Sequence, residues 1–317
     1  MKTGLVLEGG AMRGLFSAGV TDVLMEEGIT FDGAIGVSAG AAFGCNVKSG
    51  QIGRALRTAR GDLDGAEDCF GRSLEIREAL ARETGTVEAR RDLSISLNRL
   101  GDIRKARGDL YGAEFCYSTI PYQLDPFDVE AYNRNPMAFY VVCTDVETGE
   151  AVYHNCPESN LESMQWFRAS ASMPLVSRIV EVGGYRLLDG GIADSIPLEA
   201  LEKLGYERNL VILTQPDGYV KKPNKAMPLM RLALGKYPNL LRTIANRHTI
   251  YNQQVAYAET QQAAGAALIL RPEAPLDMSR TEHDADKLRA AYRHGQDVAR
   301  KNLATIRTFL EQPTRKE

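Results

Sequence analysis

Two glycine-rich turns in the first forty residues constrain this chain most, because each lies between a short apolar run and a stretch of helical spacing. Residues 3–7 run apolar into Gly9 and Gly10, and residues 15–27 have helical spacing that stops at Gly28. Residues 31–37 form a second apolar run entering Gly36-Val37-Ser38-Ala39-Gly40, and residues 39–48 read as a second helix. A strand feeding a helix through a tight turn, twice in succession, predicts a sheet with helices packed against it. If the two strands are parallel neighbours, the turns sit side by side at one edge of that sheet.

The same alternation returns later. Residues 137–144 read as a buried strand, residues 145–154 as a turn about Thr148-Gly149 into another strand, and residues 161–171 as a helix ending before Met173-Pro174. Residues 178–182 and 185–188 flank Gly183-Gly184 as a hairpin that delivers Asp189-Gly190-Gly191. Pro197 opens a helix to Leu204, and residues 210–214 read as the last core strand. The expected fold is a three-layer α/β/α sandwich around a mostly parallel sheet.

Residues 54–117 differ in texture, with 12 Arg or Lys and 12 Asp or Glu in 64 residues, and Lys105 as the one lysine. Within them, residues 59–70 recur as residues 106–117 with nine of twelve positions identical. Leu74, Ile76, Leu80, Leu93, Leu97, Leu100 and Ile103 keep helical spacing, and the stretch resembles tetratricopeptide helices. The expected organisation is a main domain over 1–275 interrupted by a helical hairpin over 54–108, with a C-terminal helical extension over 276–317. The hairpin either binds a protein partner or is a solvated decoration. Fewer than three repeats seldom build a concave surface, which favours decoration.

Composition narrows the classes. With 317 residues, 44% of them hydrophobic, the chain can bury a real core. A net charge of -3 gives no footprint for nucleic acid, which needs a clustered cationic excess. No apolar stretch reaches the length of a membrane span, and no signal-peptide pattern is evident, so the expected compartment is the cytoplasm. Five cysteines (Cys45, Cys69, Cys116, Cys143, Cys156) form no CxxC pair, so reduced thiols are expected, with neither disulfide framework nor zinc site.

A serine hydroxyl is a poor nucleophile unless a tight turn holds it out beside a base. Gly36 and Gly40 flank Ser38 at the spacing that lets a strand bend sharply into a helix. Acyl transfer also needs donors for the oxygen that becomes negative, and backbone N–H groups at the Glu8-Gly9-Gly10-Ala11-Met12-Arg13-Gly14 turn can supply them. A nucleotide loop is disfavoured there. Gly-Lys-Ser/Thr is missing, and the acidic residue expected about 20 residues on is replaced by the Ser38 turn. Asp189 stands at a strand end before two glycines and can act on Ser38 if a partly desolvated site raises its basicity. A triad of Ser38, Asp189 and His248 is the competing arrangement, although His248 lies in a polar helix-like run without a loop signal.

Gly-Gly-x-x-Arg-Gly at the first turn, Gly-x-Ser-x-Gly at the second and Asp-Gly-Gly about 150 residues later together resemble the patatin-like phospholipases. Further matches are 168–174, where the family carries Ala-Ser-x-x-x-Pro, and 194–197, where it carries Asp-x-x-Pro. The resemblance implies a lipid acyl hydrolase with a Ser38–Asp189 dyad, Gly190 and Gly191 completing the Asp-Gly-Gly motif, and an oxyanion loop of Gly9, Gly10, Ala11, Arg13 and Gly14. It implies a lipid or acyl-ester substrate and neither metal nor cofactor. An idle hydrolase fold recruiting a protein through the inserted helices is the alternative. The likeness spans roughly residues 1–50 and 109–310 and is greatest to a bacterial branch with a C-terminal extension. Two departures are Glu8, where Asp is commoner, and Ala11 at a glycine position, where a methyl group is expected to require φ below zero.

Other residues have plainer readings. Lys221, Lys222 and Lys225 precede an apolar stripe through Met227, Leu229, Met230, Leu232, Leu234, Tyr237, Leu240 and Leu241. The stripe either makes transient contact with a lipid surface or packs on the core, and its ordinary helical spacing favours packing. Cys45, Cys143 and Trp166 are expected to be core residues.

Overall fold

A computed structural model of the chain describes residues 1–61, 126–279, 282 and 284–311. Most of the repeat-bearing segment, and with it Cys69, Cys116 and the hairpin expectation beyond residue 61, lies outside the described residues, as does His283. The strands are β1 (Thr3–Leu7), β2 (Gly33–Val37), β3 (Ala138–Asp145), β4 (Ala151–Asn155), β5 (Val180–Val182), β6 (Tyr185–Asp189), β7 (Arg208–Ile212) and β8 (Ala267–Leu270). The described helices are α1 (Gly14–Glu26), α2 (Ala39–Ser49), α3 (Arg54–Gly61), α4 (Val129–Arg134), α5 (Leu161–Ser170), α6 (Leu198–Lys203), α7 (Met227–Leu234), α8 (Pro238–Ala263) and α9 (Ala285–Glu311).

Among the described residues, all eight strands join one sheet, ordered β5-β6-β3-β2-β1-β7-β8, with β4 also on β3. The run β3-β2-β1-β7-β8 is parallel, and β4 and β6 are antiparallel to β3. The sequence reading ended the core at residues 210–214. Instead β8 extends the sheet beyond β7, a four-residue run too short to show a period of its own.

Alternation along the strands makes the layers, because successive side chains leave a strand on opposite faces. Leu5, Leu7, Phe139, Val141, Leu210 and Ile212 pack with α1, α2, α5 and α9. Val6, Ile35, Val37, Val142 and Val211 pack with Leu198 and Leu201 of α6 and Tyr251 and Ala258 of α8. The sandwich is therefore three-layered. Arg54–Gly61 belongs to this body too, since Ala55 and Ala59 pack with Leu15, Ala18, Leu288 and Ala291. Cys45, Cys143 and Cys156 are buried free thiols, and Trp166 is buried with its ring stacked on His154 at 3.8 Å.

The C-terminal helix α9 runs against α1 with backbone nearly touching. A Cβ on Gly19 would lie 2.0 Å from Tyr292 O, and one on Gly295 would lie 2.0 Å from Phe16 O. Asp22 fastens the same pair, accepting from Tyr292 Oη at 2.5 Å and from Gly53 N at 2.8 Å. Gly295→Val should therefore push the helices apart and cost about 3 kcal/mol or more. Thermal denaturation checks this, and a melting temperature equal to that of the wild type would refute it.

Candidate active site

Ser38 is the single residue between the end of β2 and the start of α2. Its φ of 55° and ψ of -119° lie in a region that costs a non-glycine residue about 1–3 kcal/mol. Glycines on either side permit so tight a turn. A Cβ on Gly36 would lie 2.5 Å from Gly40 O, and one on Gly40 would lie 2.4 Å from Leu7 O.

Sheet register brings Asp189 to this serine from 151 residues away. Along β3, Val142 pairs with Val37 of β2, and the next residue, Cys143, pairs with Asp189 of β6. The other edge of β3 is taken at both positions by β4. Strand β6 thus occupies the edge that β2 vacates when it turns at Ser38. Ser38 Oγ donates to Asp189 Oδ2 at 2.8 Å, and Gly191 N donates to Asp189 Oδ1 at 2.8 Å. Both side chains are buried. The Asp189 backbone is held as well, its N–H donating to Ser172 O at 2.8 Å and its carbonyl accepting from Thr144 Oγ1 at 2.9 Å.

One residue whose importance the sequence reading missed is Ser170. Its Oγ accepts from Ser38 N at 2.8 Å and donates to Val142 O at 2.6 Å. The hydroxyl bridges the gap where the β2–β3 ladder ends. Losing it would strand two buried backbone groups, at about 1–3 kcal/mol for each unsatisfied partner. Its position in the 168–174 segment was legible, but its contact was not.

At the first turn, Gly9 N donates to Ser195 O at 3.4 Å and Arg13 N to Gly10 O at 3.2 Å. Ala11 has φ of +49°, which corrects the expectation that a methyl group here needs negative φ. The turn from β1 into α1 demands the left-handed conformation, and the alanine carries a strain of roughly 1–2 kcal/mol. Glu8 is explained by reach, since its carboxylate accepts from Thr214 N at 2.5 Å and from Tyr251 Oη at 2.8 Å. Burial, and then the Glu8 charge, push the Tyr251 hydroxyl far above its ordinary pKa, so it remains a donor.

The described histidines have partners of their own. His248 Nδ1 contacts Ala245 O at 3.0 Å and its Nε2 contacts Thr249 Oγ1 at 3.5 Å; His294 accepts from Glu273 N, and His154 stacks on Trp166.

Five residues after Asp189, Asp194 is buried with Tyr153 Oη donating at 2.8 Å and Gln254 Nε2 at 2.7 Å. It borders a cavity of about 530 Å³ between β4, α6 and α8, whose lining includes neither Ser38 nor Asp189. Burial pushes the Asp194 carboxyl up to about 6, against the pull of those hydrogen bonds. A raised carboxyl holds its proton more tightly in the folded state, so its contribution is full below about pH 4 and is lost as pH rises through about 6. Asp194→Asn should remove that loss, so its stability relative to the wild type should rise by about 2 kcal/mol between pH 4 and pH 7. Urea denaturation at the two pH values decides it, and a constant difference would refute it.

A three-layer sheet with a strained serine at one strand-to-helix turn, a glycine-rich turn beside it and an aspartate on the serine hydroxyl defines the class of the protein. The chain belongs to the patatin-like phospholipase family, whose family model, described as Patatin-like phospholipase, matches residues 5–202. A second model, a domain of unknown function (DUF6363), matches residues 237–311, a span that takes in α8, β8 and α9. The uncharacterized protein YjjU of Escherichia coli (strain K12) is 24% identical over 316 residues, covering 96% of this chain and 78% of its own. VipD from Legionella pneumophila, a solved structure, aligns with a TM-score of 0.44 and 14% identity over 96% of this chain and 67% of its own. Family membership supports lipid hydrolysis as the general activity. Among the described residues, no helix is long and apolar enough to cross a membrane.

Proposed function

We propose that the chain cleaves carboxylic esters of lipids through an acyl-Ser38 intermediate, with Asp189 as the base. The observation that carries this reading is the 2.8 Å hydrogen bond from Ser38 Oγ to the buried Asp189 carboxylate. Asp189 takes the Ser38 proton as Oγ attacks the ester carbonyl carbon, and the carbonyl oxygen becomes an oxyanion. Collapse breaks the carbon–oxygen bond to the alcohol, which leaves with the proton from Asp189. Water then attacks the acyl-serine, giving its proton to Asp189, and collapse returns a proton to Ser38 and releases the fatty acid. No external reactant besides water enters this sequence.

The oxyanion would sit at the turn holding Gly9, Gly10, Ala11, Arg13 and Gly14. Gly10 has φ of -149° and Ala11 φ of +49°, and the tight turn they make starts the helical segment at the carboxyl end of β1, beside the Ser38 turn. Arg13 Nε is buried without a hydrogen-bond partner, a donor available to a ligand. Labelling with a fluorophosphonate probe followed by peptide mass mapping tests the reading. One adduct on the peptide containing Ser38 is expected, and an unlabelled wild type, or an adduct elsewhere, rejects it.

A further inference from the structure

The longest stretch of the chain without an acidic residue runs from 218 to 258, and its position in the fold is specific. It carries Lys221, Lys222, Lys225, Arg231, Lys236, Arg242 and Arg247, contributing +7 in a chain whose formal net charge is -3. The stretch starts just beyond the end of β7, at the same sheet edge as Ser38. Lys221 Nζ lies 3.9 Å from the Tyr251 ring centroid, and the Tyr251 hydroxyl donates to Glu8, the residue before Gly9. On α7, Met227 and Met230 turn inward to the cluster containing Leu188 and Ile192, which bracket Asp189-Gly190-Gly191.

The outer face of α7 has no such cover. Leu234 is its one buried residue, whereas Leu229 is 55% exposed and Leu232 84%, with Val220 66% exposed just before the helix. The sequence reading favoured core packing for this stripe. That reading holds for Leu234, Tyr237 and Leu240 and fails for Leu229 and Leu232. Leu229 and Leu232 are one turn apart on α7, and exposed Lys225 and Lys236 lie in the turns two residues before and two residues after the helix. An apolar ridge with a cation at each end suits a helix lying in the interface of a bilayer, leucines among acyl chains and ammonium groups among headgroups.

We infer that residues 219–236 dock the protein on an anionic phospholipid surface, presenting the Ser38 edge of the sheet to the bilayer. The inference rests on the proposed lipid ester hydrolysis for its purpose, but not for its physics. Complementary charge selects an anionic membrane, since each Lys or Arg near such a surface contributes about 1 kcal/mol. A substrate with long acyl chains is concentrated in the bilayer, so an enzyme held with its site at that surface meets it without extracting it into water.

Flotation of the full chain with vesicles tests this, comparing phosphatidylcholine alone with phosphatidylcholine mixed with phosphatidylglycerol. The wild type is expected to float with the anionic vesicles and not with the neutral ones. Lys222→Gln with Lys225→Gln should weaken binding about 30-fold at low salt. Leu229→Ser with Leu232→Ser should weaken it about tenfold or more. Both double variants should keep the wild-type melting temperature and turn over a short water-soluble ester at the wild-type rate, which separates a docking defect from a folding defect. A wild type that ignores vesicles, equal binding to both compositions, or variants that bind like the wild type would each overturn the inference. If Leu229→Ser with Leu232→Ser instead dissociates a dimer and leaves vesicle binding intact, the face belongs to a second copy and the inference also fails. A wild type that binds anionic vesicles but hydrolyses no ester would reject the proposed activity and leave the docking surface standing.

Discussion

Ser38→Ala is expected to lower kcat on a soluble ester by about 10⁵-fold or more, because the reaction then has no atom on which to form the acyl intermediate. The stability consequence is separable and has a definite sign. Ser38 sits at φ of 55°, a conformation alanine tolerates no better than serine and glycine adopts freely. Ser38→Ala and Ser38→Gly lose the same hydroxyl and leave the same Asp189 oxygen without its donor. They differ only in whether the strained turn keeps a Cβ. Relief of roughly 1–2 kcal/mol of left-handed strain outweighs the 0.5–1 kcal/mol that glycine ordinarily loses in chain entropy. Ser38→Gly should thus be the more stable of the two inactive variants in urea denaturation. Turnover above about a hundredth of the wild-type rate in either, with the wild type active, would remove Ser38 from the chemistry. An alanine variant more stable than the glycine variant would show that the turn is not strained.

Much of this was legible because it depends on local chemistry. The glycines at 36 and 40 announce a turn too tight for side chains, and the structure has backbone oxygens 2.5 Å and 2.4 Å from where their Cβ atoms would be. Apolar runs of strand and helical length predicted the layers in the same way. What the sequence could not carry was register. Nothing in residues 137–144 says that β3 changes partner from β2 to β6 between Val142 and Cys143, yet that change is what joins Ser38 to Asp189. In the sequence their pairing rests on the turn that carries each residue and on a resemblance, not on register. Ser170 was hidden for a related reason, since a serine at the end of a helix usually serves that helix, and here its hydroxyl serves the sheet. Helix α7 shows the limit of periodicity. Apolar residues at 227, 229, 230, 232 and 234 surround most of the helix, so the pattern marks a helix without saying which leucines face out. The sign of φ at Ala11 is not legible in the residue type, because the turn from β1 into α1 overrides alanine's own preference.

Asp189→Asn and His248→Ala together decide between the two machineries that the sequence left open, since a dyad and a triad both need the aspartate and only a triad needs the imidazole. Asparagine has nearly the same shape and can still accept from Gly191 N through its carbonyl oxygen, so the β6 turn should survive. It cannot take a proton from Ser38. If Asp189 is the base, kcat should fall by about 10³–10⁴-fold with KM little changed, because the residue holds Ser38 Oγ rather than substrate. Fluorophosphonate labelling should slow in parallel, since it needs the same activated oxygen. His248→Ala should leave both rates within about twofold of the wild type, because a residue that neither binds substrate nor moves the proton contributes no transition-state stabilisation. Its ring is engaged with Ala245 O and Thr249 Oγ1 on its own helix, while the two Asp189 oxygens accept from Ser38 and Gly191. The opposite pattern, a collapse of turnover in His248→Ala, would require the loop before α8 or the helix itself to rearrange and bring an imidazole to Ser38. A triad would then replace the dyad. The pair of variants is informative because both readings keep Asp189 near the serine. Only the dyad makes it the sole group that removes the proton.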